Sequence, residues 1–445
     1  MIKLFKSLLS LLFWSKKIPP NSNSGSASHN LKKQFFKNRL GVYSLRILFC
    51  FSIVALAADF LANDKPIVAN YKGEIYFPVF KSFLVESNLA QWQPQFQNID
   101  WSKLSFDWSF FPPVPYLPQN MDKKNVHSVS PFDTQIIPSW RWRHWLGTDE
   151  LGRDILSGMI YGTRTALTVG LVSMGIASFL GIFIGAVSGY FGDERLKISR
   201  ATLFVSTPFV VLGIFLGFIA RSFELSDALA ISFGKFFLQI GFSLIILFLV
   251  VFVGILFSIP LKKIPFFKKQ ISIPVDLVLS RFIEVMISVP ILFLIITVSS
   301  IVTHPSIYIV MTIIGLTSWT GIARFIRAEM LKIKSLEYIE AAHALGYSEW
   351  RIIIRHAIPN ALSPVLISIA FGIAAAILIE STLSFLGVGV SPETVTWGSL
   401  LAEARQSPSA WWLAIIPGTA IFITVTVFNL LGEALTDALD PKQKK

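Results

Sequence analysis

Residues 324–364 read RFIRAEMLKIKSLEYIEAAHALGYSEWRIIIRHAIPNALSP, a charged passage set between two strongly apolar regions. The pattern predicts two short helices joined at a glycine. Ser335 is placed to cap the first, with Glu337 in its opening turn, where a carboxylate suits the positive end of the helix dipole. Glu340, Ala341 and Ala342 follow, and Gly346 stands where a left-handed residue ends a helix. Ser348 is placed to cap the second helix, and Pro359 is expected to limit its run. The paired alanines leave a low-relief face on which another protein surface can sit closely. The alternative is an amphipathic loop with no partner, and the spacing and apolar flanks weigh against it.

Outward from this passage the chain is built for a bilayer. Of its 445 residues 53% are hydrophobic and only 15% charged, and the mean hydropathy is +0.62, which excludes an ordinary soluble protein. Apolar runs approaching or exceeding roughly 18–20 residues recur, the length that crosses a membrane. The formal charge of +12 sits in loops and tails beside those runs, as the positive-inside rule expects, and this argues against a nucleic-acid partner. Cys50 is the single cysteine, so a disulfide or a cysteine metal site within one subunit is excluded.

The passage around Glu340 resembles the cytoplasmic coupling loop in the membrane subunit of ATP-binding-cassette importers. That loop carries Glu-Ala-Ala, a glycine four residues after the second Ala, and a later Leu-Pro; this chain has Glu340-Ala341-Ala342, Gly346 and Ile358-Pro359. His356 stands where an Ile is usual and Ile358 replaces the Leu. A second segment, residues 144–164 (HWLGTDELGRDILSGMIYGTR), resembles the stretch before the second span in the dipeptide/oligopeptide/nickel permeases. Ala62-Asn63-Asp64-Lys65-Pro66 and Tyr76-Phe77-Pro78 resemble the oligopeptide branch that includes microcin C importers. Within residues 144–164, Thr148 is expected to cap an interfacial helix whose first turn holds Asp149 and Glu150.

In chain order the expected organisation is a basic cytoplasmic tail (1–42), a first span (43–61), an irregular extracytoplasmic extension with the interfacial helix (62–164), a permease core (165–432) and a cytoplasmic tail (433–445). Residues 1–17 are expected to lie as an interfacial amphipathic helix, followed by a flexible linker. Within the core the second span covers about 165–190, with Gly181, Gly185 and Gly189 as a close-packing face inside the subunit. Then comes the main departure from the family: an insertion of about 193–275 with apolar runs at 201–220 and 236–259 and a basic stretch holding Lys262, Lys263, Lys268 and Lys269. The N-terminus and the Glu340 loop must face the same side, so both inserted runs cross or neither does; their length and the lysines favour both. Further spans are expected at 285–302, 306–322, 364–386 and 411–431, with a tight turn at His304-Pro305 and an outer loop holding Pro392 and Trp397-Gly398. The result is an all-α integral membrane protein of about eight spans, a type I ABC importer transmembrane subunit, with both termini cytoplasmic.

No Gly-x-x-x-x-Gly-Lys-Ser/Thr loop occurs, so no phosphate cradle is written in this chain. The resemblance implies that ATP and Mg are bound by two separate ATPase subunits, that a second homologous permease pairs with this one, and that an extracytoplasmic binding protein delivers cargo across the bacterial inner membrane. It places the ATPase contact on Glu337, Glu340, Ala341, Ala342, Gly346, Arg351 and Pro359. Glu380 is an ionisable residue inside a span, which marks it and the nearby Ser381 and Ser384 as a candidate translocation path; Asp59 carries a weaker form of the same argument. Glu340-x-x-His343 matches a di-iron spacing, but no second carboxylate set accompanies it, and no nucleophile–base arrangement points to an enzyme. The expected cargo is peptide, with nickel or another small solute as the alternative. A solitary ion-coupled transporter would call for broken helices and buried mid-span charges.

Overall fold

Asn38 opens the first long helix, α1 (Arg39–Leu56), by accepting the amide of Gly41 on its side chain. The chain is seen here as a computed structural model that describes residues 34–86, 89–97, 99–193, 197–231, 233–301, 306–388 and 394–439. The expected helix at 1–17, the linker after it, the turn at His304-Pro305, Pro392 and the closing Asp440-Pro441 lie outside those residues. A single turn, α2 (Ala58–Leu61), continues α1.

The extension expected to be irregular contains an antiparallel sheet in the order β2-β1-β3, from β1 (Val68–Tyr71), β2 (Glu74–Tyr76) and β3 (Trp108–Phe110), together with a short helix, α3 (Pro78–Glu86). An aromatic cluster supports it: Phe96 and Trp101 stack at 5.2 Å, and Tyr71 meets Phe96 edge-on at 5.7 Å. Strands this short carry too little alternation to be read among prolines and tryptophans.

Residues 144–154 differ from expectation. Thr148 caps no helix; it is buried, its hydroxyl donates to the Asn125 carbonyl at 2.8 Å, and it accepts the Val129 amide. Asp149 folds back on the amides of Leu151 and Arg153 in a turn whose Gly147 and Gly152 both take positive φ. The true cap is Asp154, which accepts the Ser157 amide and starts α4 (Ile155–Phe191), a helix of 37 residues. His144 lies buried beneath it between Asp154 (2.8 Å) and Asp122 (3.3 Å), stacked on Tyr116.

After α4 the insertion forms a hairpin closed at its base by β4 (Lys197–Ser199) paired with β5 (Gln270–Ser272). Its legs are α5 (Arg200–Ile214), extended by a π turn to Ile219, and α7 (Phe233–Leu261); α6 (Ser222–Ile231) joins them and α8 (Pro265–Lys268) follows. Both legs pass as spans, and most of their surface is left for lipid.

The span expected at 285–302 is two helices, α9 (Val275–Ser288) and α10 (Ile291–Ile301), bent by 76°. The break falls at Val289-Pro290, where proline disfavours helical geometry in the residue before it. Next, α11 (Ile307–Ile333) runs well past the expected end at residue 322, because its charged second half still has the helical phase. The glycine face of α4 meets α11 as expected: a Cβ on Gly181, Gly185 or Gly189 would come within 2.8 Å of Trp319, Ala323 or Arg327 carbonyl oxygens. Among the described residues seven helices are long and apolar enough to cross a membrane, and the bent pair makes eight.

Two further contacts fix the directions of the helices. Arg164 of α4 donates to the Ala55 carbonyl near the end of α1, so the two run oppositely. The last helix, α16 (Trp411–Leu439), returns to the start of the chain, where Asn38 donates to Asp437 at 3.1 Å and Gly41 sits against Ala434. The start of α1, the end of α4, the Glu340 passage and the end of α16 therefore share one end of the bundle; the extension occupies the other.

Candidate functional site

The Glu340 passage forms a knob. Its first helix, α12 (Glu337–Ala344), starts at Leu336 and not at a Ser335 cap; Ser335 instead donates to the Lys332 carbonyl, closing the end of α11. Ile339 and Ala342 are buried in the main core, while Glu337, Glu340 and Ala341 point outward. Gly346 ends α12 with φ +76°, its amide bonded to the His343 carbonyl and the Tyr347 amide to Ala342. This is the paired-bond termination for which glycine is suited.

Ser348 occupies the cap position of α13 (Glu349–Ile352), but its side chain makes no capping bond. Pro359 does not stop this helix. A π turn over Ile353–Ala357 leads into α14 (Ile358–Phe385), so the chain stays helical from Glu349 to Phe385. The proline sits in the first turn after the π turn, where its ring is tolerated. Arg351 is exposed, with its guanidinium over the Tyr347 ring at 5.1 Å. Around these residues Leu336, Tyr338, Leu345, Tyr347, Trp350 and Ile354 are exposed as well, an apolar and aromatic surface of the kind that marks a contact site.

Sequence reasoning missed what holds the knob. Tyr190, fully buried near the end of α4, donates to Glu349 at 2.6 Å and lies 3.1 Å from His343 Nε2. Trp350 stacks on Phe183 and meets Phe191 edge-on, both from α4. Ile352 and Ile353 complete the seat in the core. The available signal was a hydroxylated aromatic at the end of an otherwise apolar span. Nearby, Asp276 of α9 is gripped by Nε and Nη2 of the Arg327 guanidinium, the latter at 2.6 Å, and accepts a hydrogen bond from Ser188 Oγ of α4.

Glu380, Ser381 and Ser384 lie together near the other end of α14, all buried. Ser384 donates to one Glu380 oxygen at 2.6 Å and Ser381 to the other at 3.4 Å. Above them Trp397 and Gly398, expected in an open loop, begin a short helix, α15 (Trp397–Glu403). Gly398 rests directly on this group, where a Cβ would fall 2.4 Å from the Ser381 carbonyl, and the Trp397 indole enters the notch at Gly162. Asp59 is paired at 2.7 Å with Arg164 and accepts Tyr161. Among the described residues no cluster of three or more His, Cys, Asp or Glu side chains is arranged for a metal.

Residues 269–445, which include the knob, α14 and α16, match the family described as binding-protein-dependent transport system inner membrane component. This C-terminal stretch carries the membrane domain of an ABC importer permease. It is 27% identical to the peptidoglycan transport system permease protein YejE of Agrobacterium fabrum, over 92% of each chain. Against the inner membrane ABC transporter permease protein YejE of Escherichia coli K12 it is 28% identical, over 92% of this chain and 96% of the other. A dipeptide transport system permease protein, DppC of Alkalihalophilus pseudofirmus, is 26% identical over 68% of this chain and 73% of its own. The first two alignments run nearly end to end, so in length they take in the extension and the inserted hairpin as well as the core.

Proposed function

We propose that this permease passes peptide-class cargo inward across the membrane, driven by ATPase subunits that grip the knob at Glu337, Glu340, Ala341, Ala342, Gly346, Arg351 and Pro359. The observation that carries this reading is the two-sidedness of α12: Ile339 and Ala342 are sunk in the core while Glu340 and Ala341 face out beside exposed Leu345 and Trp350. A partner seated on the outer face pushes on residues that are already part of the bundle. In this reading the knob end and both termini are cytoplasmic, and the extension faces the binding protein. A second, homologous permease completes the path, and two ATPases bind below.

Cargo follows from chemistry shared by the named relatives, since dipeptides and peptidoglycan fragments both present peptide bonds. The wall of the path is α14, and α15 is its cover: Glu380, Ser381 and Ser384 join the route as α15 moves off them. ATP and Mg belong to the partners. The test is co-purification of the partner ATPase with the full chain. Glu340→Lys reverses the charge on the outer face, and Gly346→Pro forbids the left-handed φ. Both variants are expected to insert in the membrane and to lose ATPase; undiminished co-purification rejects the assignment.

A further inference from the structure

The base of the inserted hairpin gathers cations that no carboxylate among the described residues answers. The β4–β5 pairing, with the Arg200 amide bonded to the Lys269 carbonyl, brings Lys197 and Arg200 of the first leg against Lys262, Lys263, Lys268 and Lys269 of the second. None of these six forms an ion pair with a carboxylate among the described residues. Two acids close in sequence are engaged elsewhere: Asp193 accepts the Leu277 amide, and Asp276 is held by Arg327. Lys263, Lys268 and Lys269 are exposed.

The same base continues the lipid-facing surface of the hairpin. Leu256, Phe257 and Ile259 at the end of α7 are exposed, and Ile264 and Phe266 extend that strip past the last turn. Arg200 lies over the Phe266 ring at 4.7 Å, so a cation and an aromatic wedge stand side by side. Apolar side chains that enter the acyl boundary, ringed by four to eight cations at headgroup depth, match an anionic membrane surface in shape and charge.

We propose that this base binds the phosphate headgroups of anionic phospholipids in the adjacent leaflet and so pins the hairpin to the membrane surface beside the knob. Wild-type full chain extracted from bilayers of phosphatidylglycerol and phosphatidylcholine in equal parts, then analysed by native mass spectrometry, should retain the two lipids in a phosphatidylglycerol-to-phosphatidylcholine ratio about tenfold above the bulk ratio. The variant carrying Lys262→Gln, Lys263→Gln, Lys268→Gln and Lys269→Gln should return to the bulk ratio, and the corresponding Lys→Arg variant should keep the enrichment. Raising salt to about 1 M during extraction should erase the wild-type preference, which provides a reading that does not depend on any variant folding. Equal retention of both lipids by the wild type, or enrichment that survives in the Gln variant or in high salt, overturns the proposal.

Discussion

The Tyr190 hydroxyl at the end of α4 donates to Glu349 at 2.6 Å, joining that 37-residue helix to the first residue of α13. The donor is fully buried and its acceptor is only part-buried. The bond therefore holds a surface feature from within.

Tyr190→Phe should loosen the knob without unseating it. A hydrogen bond to a charged group contributes about 1.5–3 kcal/mol, and the part-exposed Glu349 regains water, so a cost near the lower end is expected. Hydrogen exchange should quicken across residues 337–357 and stay unchanged in the first half of α4. Unaltered exchange in the knob would refute the anchoring role.

The glycines of α4 make a contrast that can be measured. A Cβ on Gly185 meets the Ala323 carbonyl at 2.5 Å, whereas one on Gly175 meets nothing within 4 Å. Gly185→Ala should force α4 and α11 apart and destabilise the protein by about 1–3 kcal/mol, the range for overpacked sites. Gly175→Ala should be neutral or stabilising, since alanine is the better helix former by about 1 kcal/mol. Thermal unfolding of the purified chain distinguishes the two.

Asp276→Asn should leave Arg327 half-satisfied at the junction of α4, α9 and α11. Because Arg327 is about one-third exposed, the expected loss is about 1–2 kcal/mol, well below that of a fully buried pair. Asp276→Asn combined with Arg327→Met should recover part of it. A double-mutant cycle reads the coupling directly.

The His144 site predicts a pH dependence in the extension. Burial pushes its imidazole toward neutrality, but the hydrogen bonds and charges of Asp154 and Asp122 outweigh this and hold its pKa above the ordinary 6.5. A folded value above the unfolded one means that the stabilisation is complete below about pH 6.5 and is lost as pH rises through the folded value. Asp122 works in the opposite sense. Despite burial, Asn125, the Lys124 amide and His144 hold it below 3.8, so its contribution is present above that value and is lost as pH falls through the folded one. The unfolding midpoint followed by tryptophan fluorescence should rise as pH falls from the alkaline side toward about 6.5, and His144→Gln should flatten that rise.

Several of these features were legible in the sequence because they rest on periodicity or on a special residue. The glycine ladder of α4, the left-handed Gly346 and the two long apolar helices of the insertion are of that kind. Caps were read less well. Ser335, Ser348 and Thr148 all have capping side chains, but their hydroxyls found carbonyls or stayed free of the helix, and the carboxylate of Asp154 took the place proposed for Thr148. Helix ends set by tertiary contact were also hidden, since nothing local announces that a π turn will carry the chain through Pro359. The enclosure of Glu380 depends on Gly398, eighteen residues on, and no local pattern encodes that contact.

The unbroken helical run from Glu349 to Phe385 has 37 residues, which at 1.5 Å each makes a strut of about 55 Å. One tip of the strut carries Trp350, clasped by α4, and the other carries Glu380 and its hydroxyl companions beneath α15. A tilt imposed at the first tip would reach the second along continuous helix, past only the π turn and the interior Pro364. In the proposed cycle, uncovering Glu380 would then need no relay of side chains: leverage along a single beam is enough.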